Sequence, residues 1–168
     1  MIKVILADDH PVVRDGLRAI INRESKDTKV IAEAANGKEV LEIAQTHPAD
    51  LYVLDISMPV LNGIETAIRL LKMNPKSKII MLSIHDEKTF VEKALKAGIQ
   101  GYILKETATE ETVQAIYKVY QGKYFLSSDI SKFIVRGFLG KRYNYRPYKK
   151  IVNLTRRERE VLQLIGEG

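Results

Sequence analysis

IKVILADDHP, residues 2–11, sets the architecture. From Ile2 to Ala7 the residues are almost all apolar, several of them β-branched, and the run stops at Asp8-Asp9. A strand wetted on one side alternates polar and apolar residues; a near-continuous apolar run is what a strand covered on both faces needs, and such strands belong to parallel sheets with helices above and below. Pro11 then opens a helix, with Val12, Val13, Leu17, Ile20 and Ile21 recurring at helical spacing. The alternation repeats along the chain. Further strands are predicted at Val30–Ala34, Leu51–Asp55, Lys78–Ser83 and Gly101–Leu104, and helices at Lys38–Thr46, Ile64–Met73, Glu87–Ala97 and Glu110–Gln121. Five strand-helix units in this order predict an α/β fold: a doubly wound, five-stranded parallel sheet over residues 1–122. Asn36-Gly37, Asn62-Gly63, Asn74-Pro75 and Ala97-Gly98 fall where loops or helix C-caps belong.

Beyond Gly122 the character changes. Up to that residue the chain holds 16 Lys and Arg against 17 Asp and Glu; from Lys123 on it holds 11 against four, which accounts for the whole net charge of +6. A basic segment of this kind suits nucleic acid or a solvated tether, and the counts do not choose between them. Ser128 is placed to cap a short helix bearing Ile130, Phe133, Ile134 and Phe138 on one face. GKRYNYRPYKKIVN, residues 140–153, has no periodicity, so residues 123–153 read as a linker containing that helix. Its tyrosines and basic residues have the composition of a single-strand-binding tract, but packing of a tether on its neighbours is the simpler reading. Thr155 with Glu158 then forms a capping box ahead of Val161, Leu162, Leu164 and Ile165.

Among the 168 residues there is no cysteine, and His10, His47 and His85 lack metal-ligand spacing. Disulfides, thiolate metal sites and cysteine nucleophiles are thereby excluded, and a divalent ion would have to be held by oxygen. No apolar stretch reaches the roughly 18 residues of a membrane span, and the N-terminus lacks the features of a signal peptide, so a cytoplasmic location is expected.

Ligands of open parallel sheets sit at the carboxyl ends of the strands. The residues expected there are Asp8, Asp9, Asp55, Ser83 and Lys105. Carboxylates crowded into one crevice repel by roughly 4 kcal/mol per close pair at the effective dielectric of a surface site unless they share a cation. A hard ion such as Mg²⁺ removes that repulsion. One carboxylate is then free to act as nucleophile toward a phosphoryl group, whose oxygens a lysine and a hydroxyl would stabilise.

With these motifs in place the chain resembles the response regulators of two-component signalling, in the NarL/FixJ group: a receiver domain followed by a LuxR-type helix-turn-helix. The likeness rests on Asp8-Asp9, on LDISMPVLNGIE around Asp55, on LSIHDE around Ser83, and on AGIQGYILKE containing Lys105. It implies the flavodoxin-like strand order 2-1-3-4-5. It further implies that Asp55 accepts the phosphoryl group and that Asp8, Asp9, Asp55 and the Ser57 backbone carbonyl hold Mg²⁺. Lys105 would pair with the phosphoryl group, Ser83 would be the switch hydroxyl and Tyr102 the aromatic that follows it, while Ser57 and His85 would tune the phosphoryl lifetime. Ile84 stands where many receivers have a small residue. His10 reads as the start of the first helix. The partners implied are a sensor histidine kinase, promoter DNA and, when phosphorylated, a second copy of the chain. No enzyme activity beyond the chain's own phosphorylation and dephosphorylation is expected. LTRREREVLQLIGEG, residues 154–168, looks like the first helix of the DNA-binding domain, without the second helix that would enter the major groove.

Two other classes compete. A stand-alone receiver or phosphorelay protein would work by protein contact alone. An Mg²⁺-dependent phosphatase with an aspartate nucleophile would carry D-x-D on the first strand, where this chain has Asp8-Asp9-His10-Pro11. A flavin-binding flavodoxin would need a Ser/Thr-rich phosphate cradle that the first loop lacks.

Overall fold

The computed structural model describes residues 1–84 and 88–138. The elements run β1 (Ile2–Ala7), α1 (Pro11–Glu24), β2 (Thr28–Ala34), α2 (Gly37–Thr46), β3 (Leu51–Asp55), α3 (Gly63–Met73), β4 (Lys78–Ser83), α4 (Lys88–Lys96) and β5 (Gly101–Leu104). A 3-10 turn at Lys105–Thr107 leads into α5 (Ala108–Tyr120), followed by β6 (Phe125–Leu126) and α6 (Ser128–Phe138). All strands are parallel, in the order β2-β1-β3-β4-β5-β6.

The first five strands have the expected order, and four of them the expected bounds. The sheet nevertheless has six strands rather than five. Phe125 and Leu126 pair with Gly101 and Tyr102 of β5, inside the stretch expected to be linker. One compact unit accordingly spans Met1–Val135, past the boundary expected at Gly122. A two-residue strand shows no periodicity, which is why the pattern of residues could not reveal it. The helix expected to be capped by Ser128 is present as α6, with Ser128 as its first residue and Ser127, whose carbonyl accepts from Ser131 N–H, in the capping position. His85, the remainder of the expected linker and residues 154–168 lie outside the described residues.

Period-2 alternation sends Val4 and Leu6 of β1 to one face and Ile5 and Ala7 to the other. Val4 and Leu6 share a buried cluster with Leu17 and Ile21 of α1 and with Ala115, Ile116 and Val119 of α5. Ile5 and Ala7 share the opposite cluster with Val40 of α2, Leu70 of α3, Val91 of α4 and Ile130 of α6. Both layers are thus filled, which explains why β1, β3 and β4 read as apolar runs.

The Asn-Gly pairs mark helix starts. The Asn36 and Asn62 side chains accept from the backbone N–H of Glu39 and Glu65 at 3.0 and 2.9 Å, capping α2 and α3. At the other end, α4 and α5 terminate on glycines with φ of +88° (Gly98) and +80° (Gly122). Each is closed by a backbone bond across it, Ile99 N–H to Ala94 O and Lys123 N–H to Lys118 O.

Candidate functional site: an acidic pocket bridged by a lysine

The carboxyl ends of β1, β3 and β5 bring Asp8, Asp55 and Lys105 together. β1 runs out at Ala7, and Asp8 N–H still bonds Ala34 O of β2, so its side chain is fixed at the rim and fully buried. Asp55, the last residue of β3, is 1% exposed. Lys105 follows β5 directly, and its Nζ lies 2.7 Å from Asp8 Oδ2 and 2.9 Å from Asp55 Oδ2. One ammonium therefore spans two buried carboxylates.

Their protonation equilibria follow from that geometry. Burial pushes the Asp55 carboxyl above the ordinary carboxylate range; Lys105 and a backbone hydrogen bond from Ser57 oppose the shift, while the Asp8 charge adds to it. Burial also works against the Lys105 ammonium, but two carboxylates outweigh it, and the amine is held above its usual value.

Among the described residues, neither Asp8 Oδ2 nor Asp55 Oδ2 has a hydrogen-bond partner beyond Lys105, and Asp9 Oδ1 has only the His10 imidazole at 2.8 Å. Asp8, Asp9, His10 and Asp55 each offer a ligand atom within 4.8 Å of the others. Buried carboxylate oxygens with so few donors form an acidic pocket fitted to a divalent cation with oxygen ligands.

The positions of the remaining expected residues are mixed. Ser83 ends β4, fully buried, beside Leu104 in the strand register, while its neighbour Leu82 pairs with Asp55. Tyr102 is fully buried in the α4-side core. Ser57 is exposed, and its N–H rather than its hydroxyl engages Asp55. His85 is not among the described residues.

Two residues escaped the sequence reading. His10 does precede α1, but its Nδ1 also approaches Asp9 Oδ1 and, at 3.2 Å, Asp8 Oδ1. Arg14 Nη1 donates to Asp8 O at 2.6 Å while its Nε contacts Glu33 Oε2 at 3.2 Å, tying the acid loop to β2. The available signal was spacing: Arg14 lies one helical turn beyond His10 and bonds its carbonyl. At this end of the sheet Val12, in the first turn of α1, is exposed, as are Val60 and Ile84 in the loops after β3 and β4.

The loop after β3 is tightly built. Val60 has φ +65° in a turn closed by Leu61 N–H to Pro59 O, and a Cβ on Gly63 would stand 2.1 Å from Asp55 O. Only glycine lets α3 begin this close to the end of β3.

A parallel sheet with an acid pair, a strand-end aspartate and a bridging lysine at one edge defines a receiver domain. The family model for the response regulator receiver domain matches residues 4–117. The chain is 33% identical over its whole length to response regulator UvrY of Escherichia coli K12, covering 75% of that protein. It is 34% identical to the nitrate/nitrite response regulator NarL of the same organism, over 98% of this chain and 75% of that one. Among solved structures, a LuxR-family two-component response regulator from Aurantimonas sp. SI85-9A1 superposes with a TM-score of 0.79 at 32% identity, over 83% of this chain and 99% of that one. RcsB from Salmonella typhimurium, studied for its DNA interaction, gives 0.76 at 26% identity, over 99% of this chain and 78% of that one. The chain belongs to the response regulators of two-component systems, in the NarL/FixJ group.

Proposed function

We propose that this chain is a phosphorylation-controlled transcription regulator in which a sensor histidine kinase donates the phosphoryl group to Asp55. The observation that carries the reading is the Lys105 ammonium bridging Asp8 and Asp55 in a buried pocket. An Asp55 carboxylate oxygen attacks phosphorus, an O–P bond forms, the P–N bond of the donor phosphohistidine breaks, and the imidazole leaves with a proton. Asp8, Asp9, Asp55 and the Ser57 carbonyl would hold Mg²⁺, which when bound supplies positive charge against the phosphoryl oxygens. Lys105, in contact with Asp55, would supply the second cation, and Ser83 at the end of β4 is the hydroxyl that would follow the phosphoryl group. Movement of Ser83 would free space for Tyr102, shifting the balance between two states of the domain. The readout is control of a C-terminal LuxR-type DNA-binding domain, with a homodimer in the phosphorylated form and promoter DNA in the cytoplasm as target. The chemistry is confined to Asp55 itself and includes no turnover of a separate substrate.

Acetyl phosphate with Mg²⁺ should add one phosphoryl group to the full chain, read by intact mass, and none to Asp55→Asn. Equal labelling of both would remove the assignment.

A further inference from the structure

The outer edge of β5 poses a hydrogen-bonding problem at its C-terminal end. β6 supplies partners only for Gly101 and Tyr102, so the ladder stops short of Leu104. Ser127, 1% exposed, takes over. Its N–H donates to Tyr102 O at 2.9 Å, and its Oγ accepts from Leu104 N–H at 3.1 Å, where a further strand would have placed a carbonyl. The same hydroxyl donates to Glu111 Oε2 on α5, which also accepts from Thr107 Oγ1 at 2.8 Å. Thr107 Oγ1 in turn reaches Leu104 O at 3.3 Å. The N–H of Leu104, the residue before Lys105, is thereby held by a side chain, and its carbonyl shares the single Thr107 hydroxyl proton with Glu111.

Ser127 also starts α6. Ser131 N–H bonds Ser127 O at 2.9 Å, and Ser131 Oγ bonds Leu126 O. One buried serine thus joins the strand end that aims Lys105 to the first turn of the helix leading out of the sheet.

We propose that Ser127, braced by Glu111, is a positioning residue for Lys105 and the contact through which the state of the pocket reaches α6. Coupling of this kind is reciprocal: if Ser127 fixes where Lys105 stands, a pull on Lys105 from a phosphoryl group bears on Ser127 and the start of α6. The proposal rests on Asp55 being the phosphoacceptor, and the experiment separates the two ideas.

The full chain, Ser127→Ala, Ser127→Thr and Glu111→Ala are treated with acetyl phosphate and Mg²⁺; labelling rates are read by intact mass, and amide exchange across residues 128–135 is compared before and after full labelling. In the parent, labelling should change exchange in α6. Ser127→Ala should label about tenfold more slowly, the effect of one misplaced catalytic contact, and once labelled should show no change in α6. Ser127→Thr, which keeps the hydroxyl, should restore both behaviours. Glu111→Ala attacks the same junction from a half-buried position and should resemble Ser127→Ala, so the test survives if the buried variant fails to fold. A thermal melt alone would detect a structural role; the label-dependent change in α6 would not follow from one. Parent-like labelling in both alanine variants, an unaltered α6 response in them, or no α6 response in the labelled parent would each overturn the proposal. No labelling of the parent would instead bring down the phosphoacceptor assignment, and the proposal with it.

Discussion

Asp55 is harder to ionise than an ordinary aspartate. Its carboxyl titrates above the ordinary range because burial outweighs Lys105. Its contribution to stability is therefore present below the ordinary carboxylate range and lost as pH rises through the raised value. Asp55→Asn should then gain stability relative to the parent as pH rises above the ordinary carboxylate range in the absence of divalent ions. Lys105 keeps Asp8 as partner in that variant. The advantage should shrink as pH falls toward 4, the ordinary value for aspartate. Saturating Mg²⁺ should favour the parent, because only a state that binds the ion gains from it. Thermal melts across pH, with and without the ion, check all three. His10 touches both acids, but Asp8, Asp9 and Asp55 carry the charge that attracts the cation. Calorimetric titration should show Mg²⁺ binding weakened more than about tenfold by Asp8→Asn with Asp9→Asn, and within about twofold of the parent in His10→Ala. A large loss in the histidine variant would make His10 a metal ligand.

The element that holds Asp55 in place is the β3–α3 loop, and two of its residues do different work. Asn62 caps α3 through Glu65 N–H, so Asn62→Ala should cost ~1 kcal/mol in urea unfolding and leave labelling of Asp55 nearly unchanged. Gly63→Ala would drive a Cβ into the Asp55 carbonyl, which belongs to backbone and cannot swing aside. It should cost more than ~2 kcal/mol and slow labelling as well, since the strand end itself must move. A Gly63→Ala protein with parent-like stability would mean that the loop relaxes freely. Legibility in the sequence divides along similar lines. β1, β3, β4 and β5 were readable to the residue because each is buried on both faces and closes on a polar or charged residue, Asp55 and Ser83 as the last of β3 and β4, Asp8 and Lys105 just beyond β1 and β5. β2 begins earlier than its apolar run because Thr28 is buried although polar, and Lys29 points to solvent. α5 starts at Ala108, ahead of Glu110 where the helical pattern begins, because a 3-10 turn carries the chain directly from Lys105 into the helix. Ser127 was hidden for another reason: its role is set by the unfilled end of a strand far back in the sequence.

For the whole molecule, the site was legible because its chemistry is written in a few charged residues at strand ends, whereas the boundary of the domain was not. The boundary depends on β6, whose two residues are recognisable only once β5 is seen to have a free side. That placement has a consequence for how the protein behaves in concentrated solution. An open strand edge is a template for other chains, and GYIL, the sequence of β5, is apolar and uncharged. β6 and Ser127 occupy that edge, and the border they leave is a strand of two residues, too short to recruit another. The opposite border, β2, carries Lys29 on its exposed side and Glu33 held by Arg14 and Arg18. A polypeptide ending at Gly122 would bare β5 and should self-associate in light scattering at concentrations where one ending at Phe138 stays monomeric; equal behaviour of the two would show that the edge is harmless. On that expectation the few residues between α5 and α6 guard the sheet against aggregation as well.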